Sequence, residues 1–353
     1  MARPFVIISF LVIAITIFGL FMVGNASVVD ASRDFGSQWY YLRLQSVWAS
    51  VGLLGFFIVS NIKYQKLEKY SHYLFWGTIF LLIIVLIPGI SSKILGARRW
   101  LNFGGITLQP AELAKLTASI YLASLLKKTK NNIWSFLIVL GGLSGLIMLE
   151  PDLGTMIVIS GMSVVTFIGS GGKILHILSF LPIVILVGLL LIFISPYRRE
   201  RLNSYLDHSQ DPLGSSYHIR QALLAVGSGG VWGVGIGQSK QKYEFLPEVT
   251  TDSIFAVIAE ETGLIGSTVL ILAFAMLVFL GLKVSQNAPD VFGTNLALGI
   301  TSWIGLQALI NIAAMVALVP LTGIPLPLIS YGGSSLVIAL LGLGILVSIS
   351  RQS

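Results

Sequence analysis

Leu246-Pro247-Glu248-Val249-Thr250-Thr251-Asp252-Ser253-Ile254-Phe255-Ala256 closes a long polar stretch, about Pro196 to Thr251, and leads directly back into apolar sequence. It sets two carboxylates, Glu248 and Asp252, at the point where the chain re-enters hydrocarbon. Ionisable groups at such a boundary are costly and are kept for pairing or for chemistry, so the search for function starts there.

The rest of the chain supports that setting. Hydrophobic residues make up 55% of 353 and charged residues 10%, with a mean hydropathy of +0.88; soluble domains carry roughly 25% charged residues. Apolar runs of about 20 residues fit helices crossing roughly 30 Å of hydrocarbon, whereas barrel strands would alternate and be about half as long. The expected fold class is therefore an all-α polytopic membrane protein, one domain over residues 1–353 with a long loop at about 196–251 between its seventh and eighth spans.

Ten spans are read: Phe5 to Gly24, Gln45 to Asn61, Tyr73 to Ser91, Ala111 to Leu126, Ile133 to Leu149, Gly154 to Ser170, Ile174 to Ser195, Ser253 to Leu282, Val291 to Leu318 and Leu328 to Ser350. The first is longer than a signal-peptide core of roughly 7 to 15 residues and reads as an anchor. With the N-terminus inside, inner loops collect Arg3, Lys63, Lys66, Lys69, Lys127, Lys128, Lys130, Lys173, Lys283 and Arg351, which places both termini in the cytoplasm. Most acidic residues then fall at the outer face, so the chemistry faces outward. The net charge of +7 follows from this bias and from the long loop, and argues for anionic membrane lipids rather than nucleic acid. With no cysteine, disulfides and thiolate metal sites are excluded.

Several constellations lie at or near that outer face. In Gln109-Pro110-Ala111-Glu112-Leu113-Ala114-Lys115 a proline opens a helix. Glu112, Lys115 and Ser119 then share one face, so a charged pair looks into the bundle, either as a packing ion pair or facing substrate. Glu150-Pro151-Asp152-Leu153-Gly154-Thr155 is a tight turn with Asp152 as a natural N-cap and a secondary site candidate. Arg198, Arg199 and Arg201 sit outside against the usual preference, where they would either snorkel or clamp an anion such as a lipid diphosphate. Gly227-Ser228-Gly229-Gly230, Gly233, Gly235 and Gly237 suggest re-entrant or interfacial backbone held against protein. Thr250, Thr251 or Asp252 would cap the next helix, and an ionised Glu248–Asp252 cluster would alternatively hold a divalent cation, Mg or Mn. His218 and Arg220 show no metal-ligand spacing. After Asn311, the run Pro320 to Ser335, with Ser330 and Tyr331, interrupts apolar sequence with prolines and paired glycines; it is compatible with backbone donors for a diphosphate or sugar, or with a structural re-entrant turn.

Taken together, Gly96-Ala97-Arg98-Arg99-Trp100, the Gln109 to Lys115 motif, Pro151 to Thr155, Gly227 to Gly230, Leu246 to Ala256 with Glu260-Glu261, and Gly323 to Ser335 resemble the SEDS family of RodA and FtsW, over nearly the whole chain. The resemblance implies a peptidoglycan glycan-strand polymerase that uses lipid II and a lipid-linked glycan strand on the outer face of the cytoplasmic (inner) membrane, with a class B penicillin-binding protein, a transpeptidase, as partner. It places the essential aspartate on Asp252, an associated glutamate on Glu248, the helix-face pair on Glu112 and Lys115, and the acid after proline on Asp152. Ser253 departs from the family's usual Phe, and Gly237 to Lys242 with Val319 to Gly323 look more like the FtsW branch than RodA, with a role in either cell division or elongation. The implied reaction is attack of the 4-hydroxyl of lipid II on an anomeric carbon, with inversion and release of undecaprenyl diphosphate, Asp252 taking the proton. Two other readings stand beside it: a lipid II flippase, disfavoured by the scarcity of acidic residues inside, and a non-catalytic scaffold of the cell-wall machinery, which leaves Glu112 and Lys115 with packing alone.

Overall fold

The computed structural model describes residues 4–94, 97–104, 106–129, 132–180, 182, 186, 215–243 and 246–353. In chain order the elements are α1 (Pro4–Ala26), α2 (Val28–Phe35), α3 (Tyr40–Ser60), α4 (Gln65–Leu86), β1 (Ser91–Ile94), β2 (Ala97–Phe103), β3 (Ile106–Leu108), α5 (Pro110–Thr129), α6 (Ile133–Leu149), α7 (Leu153–Gly169), α8 (Ser215–Ser228), α9 (Ile254–Gln286), α10 (Val291–Met315) and α11 (Gly333–Gln352). Six of these helices, α1, α3, α4, α9, α10 and α11, are long and apolar enough to cross a membrane. The apolar α6 and α7 are shorter, and α5, though 20 residues long, carries Glu112, Lys115, Lys127 and Lys128. Helices stand at nine of the ten expected spans; of Ile174 to Ser195, residues 174–180 are helical and most of the remainder lies outside the described residues, as do Arg198, Arg199 and Arg201.

Several span boundaries differ from the sequence reading, and for two spans the local reason is plain. The third span runs Gln65–Leu86 rather than Tyr73 to Ser91, because its polar first turns are helical and Pro88-Gly89 ends it. The last helix starts at Gly333 rather than Leu328: Pro325 and Pro327 forbid helical hydrogen bonds, and Leu328 adopts φ 65, a left-handed value that breaks any helix.

The all-α expectation needs one correction. Residues 91–108 form a small antiparallel sheet in the order β1-β2-β3. Phe103 pairs with Ile106 across a two-residue connection in which Gly104 has φ 61. Gly104-Gly105 between apolar flanks is a hairpin signal, submerged here among longer helical runs.

Packing places α11 at the centre, 78% of its most apolar window being enclosed by protein against 22% for α3 at the periphery. Between membrane helices there is no hydrophobic drive to associate, so close approach is built on small residues. Gly344 sits on the Phe56 backbone, where an added Cβ would come within 2.8 Å of its carbonyl oxygen. This α3–α11 seam and the buried α5, α7 and α10 form the frame on which one end of the bundle carries the candidate site.

Candidate functional site

Asp252 is 9% exposed, in a tight turn that precedes α9. The turn is tied by the Glu248 carbonyl, which accepts from Thr251 N (3.1 Å) and Ser253 N (3.2 Å). Glu248 itself has φ 51, strained for a non-glycine residue, and its carboxylate is exposed. The Thr251 hydroxyl lies 2.9 Å from Glu248 Oε2 and 3.5 Å from Asp252 Oδ1, so the turn brings the two acids to one hydroxyl. The helix N-cap falls on Ser253, with no side-chain capping bond, rather than on Thr250, Thr251 or Asp252.

The segment 320–332 closes over this turn. Ser330 Oγ donates to the Thr251 carbonyl and accepts from Leu326 N (2.8 Å), and Tyr331 N donates to the Thr250 carbonyl at 2.8 Å. Gln45 of α3 clamps the same hairpin, donating to Ser330 O (3.1 Å) and accepting from Gly332 N (3.2 Å). The backbone donors from Ile329 to Gly332 are thus engaged within the protein, which favours the structural-turn reading of this stretch over a preformed anion cradle. Tyr331 packs edge-on against Tyr41, with centroids 4.9 Å apart.

Below the hairpin runs a buried polar chain. Lys115 and Glu112, 1% and 2% exposed, form an ion pair of 2.7 Å. Lys115 Nζ also donates to Gln307 Oε1 (2.8 Å) and lies 5.5 Å from the Trp303 ring centroid. Gln307 Nε2 donates to Pro325 O at 2.9 Å; one turn further along α10, Asn311 Nδ2 donates to both Ile324 O and Asp252 O at 2.8 Å each. The i, i+4 spacing of Trp303, Gln307 and Asn311 makes them a single stripe on α10. The pair read from sequence is therefore connected to the backbone of Asp252 by Gln307, the Ile324-Pro325 backbone and Asn311.

Asp152 caps α7, accepting from Thr155 N and Thr155 Oγ1 at 3.0 Å each, and receives a longer bond from Gln109 Nε2 (3.4 Å). Gly154 beside it admits the loop: an added Cβ would lie 2.4 Å from the Ile324 side chain and 2.9 Å from the Thr322 carbonyl. The Asp152 turn thus abuts the same hairpin that Asn311 joins to Asp252.

Sequence reasoning passed over Glu150. It is fully buried, neither carboxylate oxygen has a hydrogen-bond partner among the described residues, and Arg99 donates from Nε to the Glu150 carbonyl (2.9 Å) and from Nη2 to the Pro151 carbonyl. Burial, reinforced by the Asp152 charge and opposed by Arg99, pushes its pKa from 4.5 to about 9. The group is protonated in the fold and ionised in the unfolded chain over that interval, so its contribution to stability falls as pH rises from about 4.5 to about 9. Glu150→Gln is expected to remove this slope and to raise stability by about 3 kcal/mol at pH 7. Melting curves in detergent at several pH values between about 5 and 9 check it; a wild-type slope retained by the variant is the contrary outcome.

Nor does ligand spacing reveal His218. Ser253 Oγ donates its one proton to Pro247 O (2.8 Å), so His218 Nε2, 2.6 Å away, is the donor in their contact. Removal of that bond by His218→Ala is expected to lower stability by about 1 kcal/mol, with His218→Gln recovering part of it in the same melting assay.

A profile of the FtsW/RodA/SpoVE family, described as cell cycle protein, matches residues 5–353. The chain belongs to this family. Stage V sporulation protein E of Bacillus subtilis (strain 168) is 40% identical over 356 residues, 99% of this chain and 96% of that one. The probable peptidoglycan glycosyltransferase FtsW of Coxiella burnetii (strain RSA 493 / Nine Mile phase I) is 38% identical over 346 residues, 95% and 93% of the two chains. Among solved structures, a chain described under "Structural coordination of polymerization and crosslinking by a peptidoglycan synthase complex" superposes with a TM-score of 0.79 at 28% identity, covering 98% of this chain and 97% of that one. The rod shape determining protein RodA of Thermus thermophilus gives a TM-score of 0.72 at 28% identity, over 100% and 98%. The RodA-like fold and the family membership expected from the motifs are thereby shown.

Proposed function

We propose that this FtsW/RodA/SpoVE protein is a peptidoglycan glycosyltransferase that polymerises glycan strands from lipid II. The relatives named as glycosyltransferases match over nearly their full length, and the observation that carries the reading is the convergence of Asn311, Ser330 and Glu248 on the turn that presents Asp252. In the proposed step, the Asp252 carboxylate takes the proton from the 4-hydroxyl of lipid II as that oxygen bonds to the anomeric carbon of the lipid-linked glycan. The carbon inverts, and its bond to oxygen of undecaprenyl diphosphate breaks, with the electron pair leaving on the diphosphate. Glu248, whose Oε2 lies 2.9 Å from the Thr251 hydroxyl that also approaches Asp252 Oδ1 at 3.5 Å, helps to position the acid.

In this reading Asp152 and Tyr331 border the approach, Ser330 holds the turn that presents Asp252, and Arg198, Arg199 and Arg201 would neutralise the departing diphosphate. Among the described residues no group of three acidic, His or Cys side chains is placed to hold a metal ion. Asp252 and Glu248 alone offer a partial oxygen donor set of the kind a hard cation takes, and substrate diphosphate oxygens would complete it. The proposal also carries ten membrane spans with both termini cytoplasmic, the long loop between the seventh and eighth spans, an outward-facing site in the cytoplasmic membrane, and a class B penicillin-binding protein as partner. The fold likeness to a chain from a peptidoglycan synthase complex supports that partner class.

The test is glycan product from labelled lipid II with the purified protein, alone and with its transpeptidase, with and without chelator followed by metal add-back. Product in the presence of the protein supports the reading. Movement of lipid II across vesicles without product would instead favour the flippase.

A further inference from the structure

At 33 residues α9 is about 50 Å long, well over one crossing of roughly 30 Å, and it is broken at Gly263, whose φ 65 and ψ −163 are not helical. A break in a membrane helix strands backbone groups that lipid cannot satisfy. Here the loop after α8 supplies the partners. Val234 N and Gly235 N donate to the carbonyls of Glu260 (3.0 Å) and Glu261 (3.1 Å), while Leu264 N and Ile265 N donate to the carbonyls of Gly230 (2.9 Å) and Val231 (3.2 Å). Gly229 and Gly233 permit the contact, since an added Cβ on either would lie 2.1 or 2.2 Å from a carbonyl of α9. Below these bonds the buried Glu260 accepts from Lys240 N (2.9 Å), and Glu261 pairs with Lys242 (3.0 Å) and with Asn25 of α1. The loop is therefore held rigidly and cannot fold its apolar side chains inward.

Those side chains are left outside: Trp232 is 82% exposed, with Val231 and Ile236 also exposed. The surface of α9 continues them. Every residue from Asp252 to Glu261 is buried, and exposure begins at Leu264, followed by Val269 and Leu272. From Gly263 to the end of α9 the chain is roughly 36 Å long, one crossing. The same level is marked independently by Asn25, next to the last residue of the 23-residue α1. Tryptophan favours the boundary between headgroups and hydrocarbon, where its ring is amphipathic.

We propose that the 229–237 loop is a membrane-interface anchor, its Trp232 and Ile236 inserted among lipid headgroups and upper acyl chains at the Asp252 end of the bundle. The loop fixes where the bilayer surface meets α9, at the Gly263 break, and leaves the two turns that follow Asp252 enclosed by protein. This goes beyond the proposed reaction and does not depend on it.

The chain has no cysteine, so single substitutions carry a unique label. Trp232→Cys, Val269→Cys and Lys66→Cys proteins, each spin-labelled and reconstituted in phosphatidylglycerol and phosphatidylethanolamine vesicles, are compared for collision with oxygen and with a water-soluble nickel chelate. Trp232 touches too little protein for its replacement to unfold the chain. The expected result is an oxygen-to-nickel ratio at 232 about threefold or more above that at the exposed Lys66, approaching that at Val269. A ratio equal to that at Lys66 places the loop in water and overturns the proposal. Shielding from both reagents, the signature of a covering protein such as a second copy of the chain, overturns it equally.

Discussion

Asp252→Asn is expected to leave a folded protein that no longer polymerises lipid II. The substitution keeps shape and removes basicity, so the expected loss is about 10²- to 10⁴-fold if Asp252 acts as the general base. Folding is expected to be spared because backbone contacts hold the turn in place: the Asp252 carbonyl accepts from Asn311, and the flanking Thr250 and Thr251 carbonyls accept from Tyr331 N and Ser330 Oγ. None of these depends on the carboxylate. The measurement is product from labelled lipid II alongside a melting curve. Wild-type polymerisation by a pure variant would remove Asp252 from the chemistry. Glu248→Gln, altering an exposed side chain bonded to Thr251, is expected to reduce product less than Asp252→Asn does.

The second large effect is structural and lies on α5. Lys115→Met leaves Glu112 as a carboxylate, 2% exposed, that has lost its cation, and Glu112 Oε2 already has no partner. Breaking one side of a buried pair costs about 3 to 5 kcal/mol. Gln307 loses a donor at the same time, and with it part of the restraint on Pro325 O and the hairpin over Asp252. A marked fall in melting temperature is expected, accompanied by loss of polymerisation. The double variant Glu112→Gln, Lys115→Met removes both charges, and replacing a buried pair together is often close to neutral. Recovery of stability and activity in the double variant identifies the pair as support for the hairpin. Recovery of stability without activity identifies it as a substrate contact, the other reading left open by its position on the helix.

Much of this arrangement is visible in the sequence because it is local. The Glu112–Lys115 spacing, the Asp152 cap and the apolar run lengths each rest on residues within one or two turns of each other, where helix geometry alone fixes neighbours. The sheet at 91–108 was less accessible: its strands are as short as three residues, and its one strong signal, the Gly104-Gly105 turn, stands inside a chain dominated by helical spans. Lone polar residues gave no indication of their partners. Gln45, Gln307 and Asn311 look like isolated amides in apolar helices, yet Gln45 reaches 285 residues along the chain to Ser330, and Asn311 reaches 59 residues back to Asp252.

The amino-acid sequence by itself determined that this chain is a multi-pass membrane protein of the SEDS type, with acids concentrated at one end and a charged pair turned into the bundle. Those properties follow from composition, periodicity and motif order, which are summed along the chain. The tertiary structure alone decided that Asn311, Ser330 and Gln45 lock the Asp252 turn beneath one hairpin, that Glu150 is buried with no hydrogen-bond partner for its carboxylate among the described residues, and that a glycine loop completes the broken α9. Each of these depends on which backbone groups are stranded at a particular depth and which distant side chain can reach them, and in an environment without water that accounting is closed only when the helices have packed.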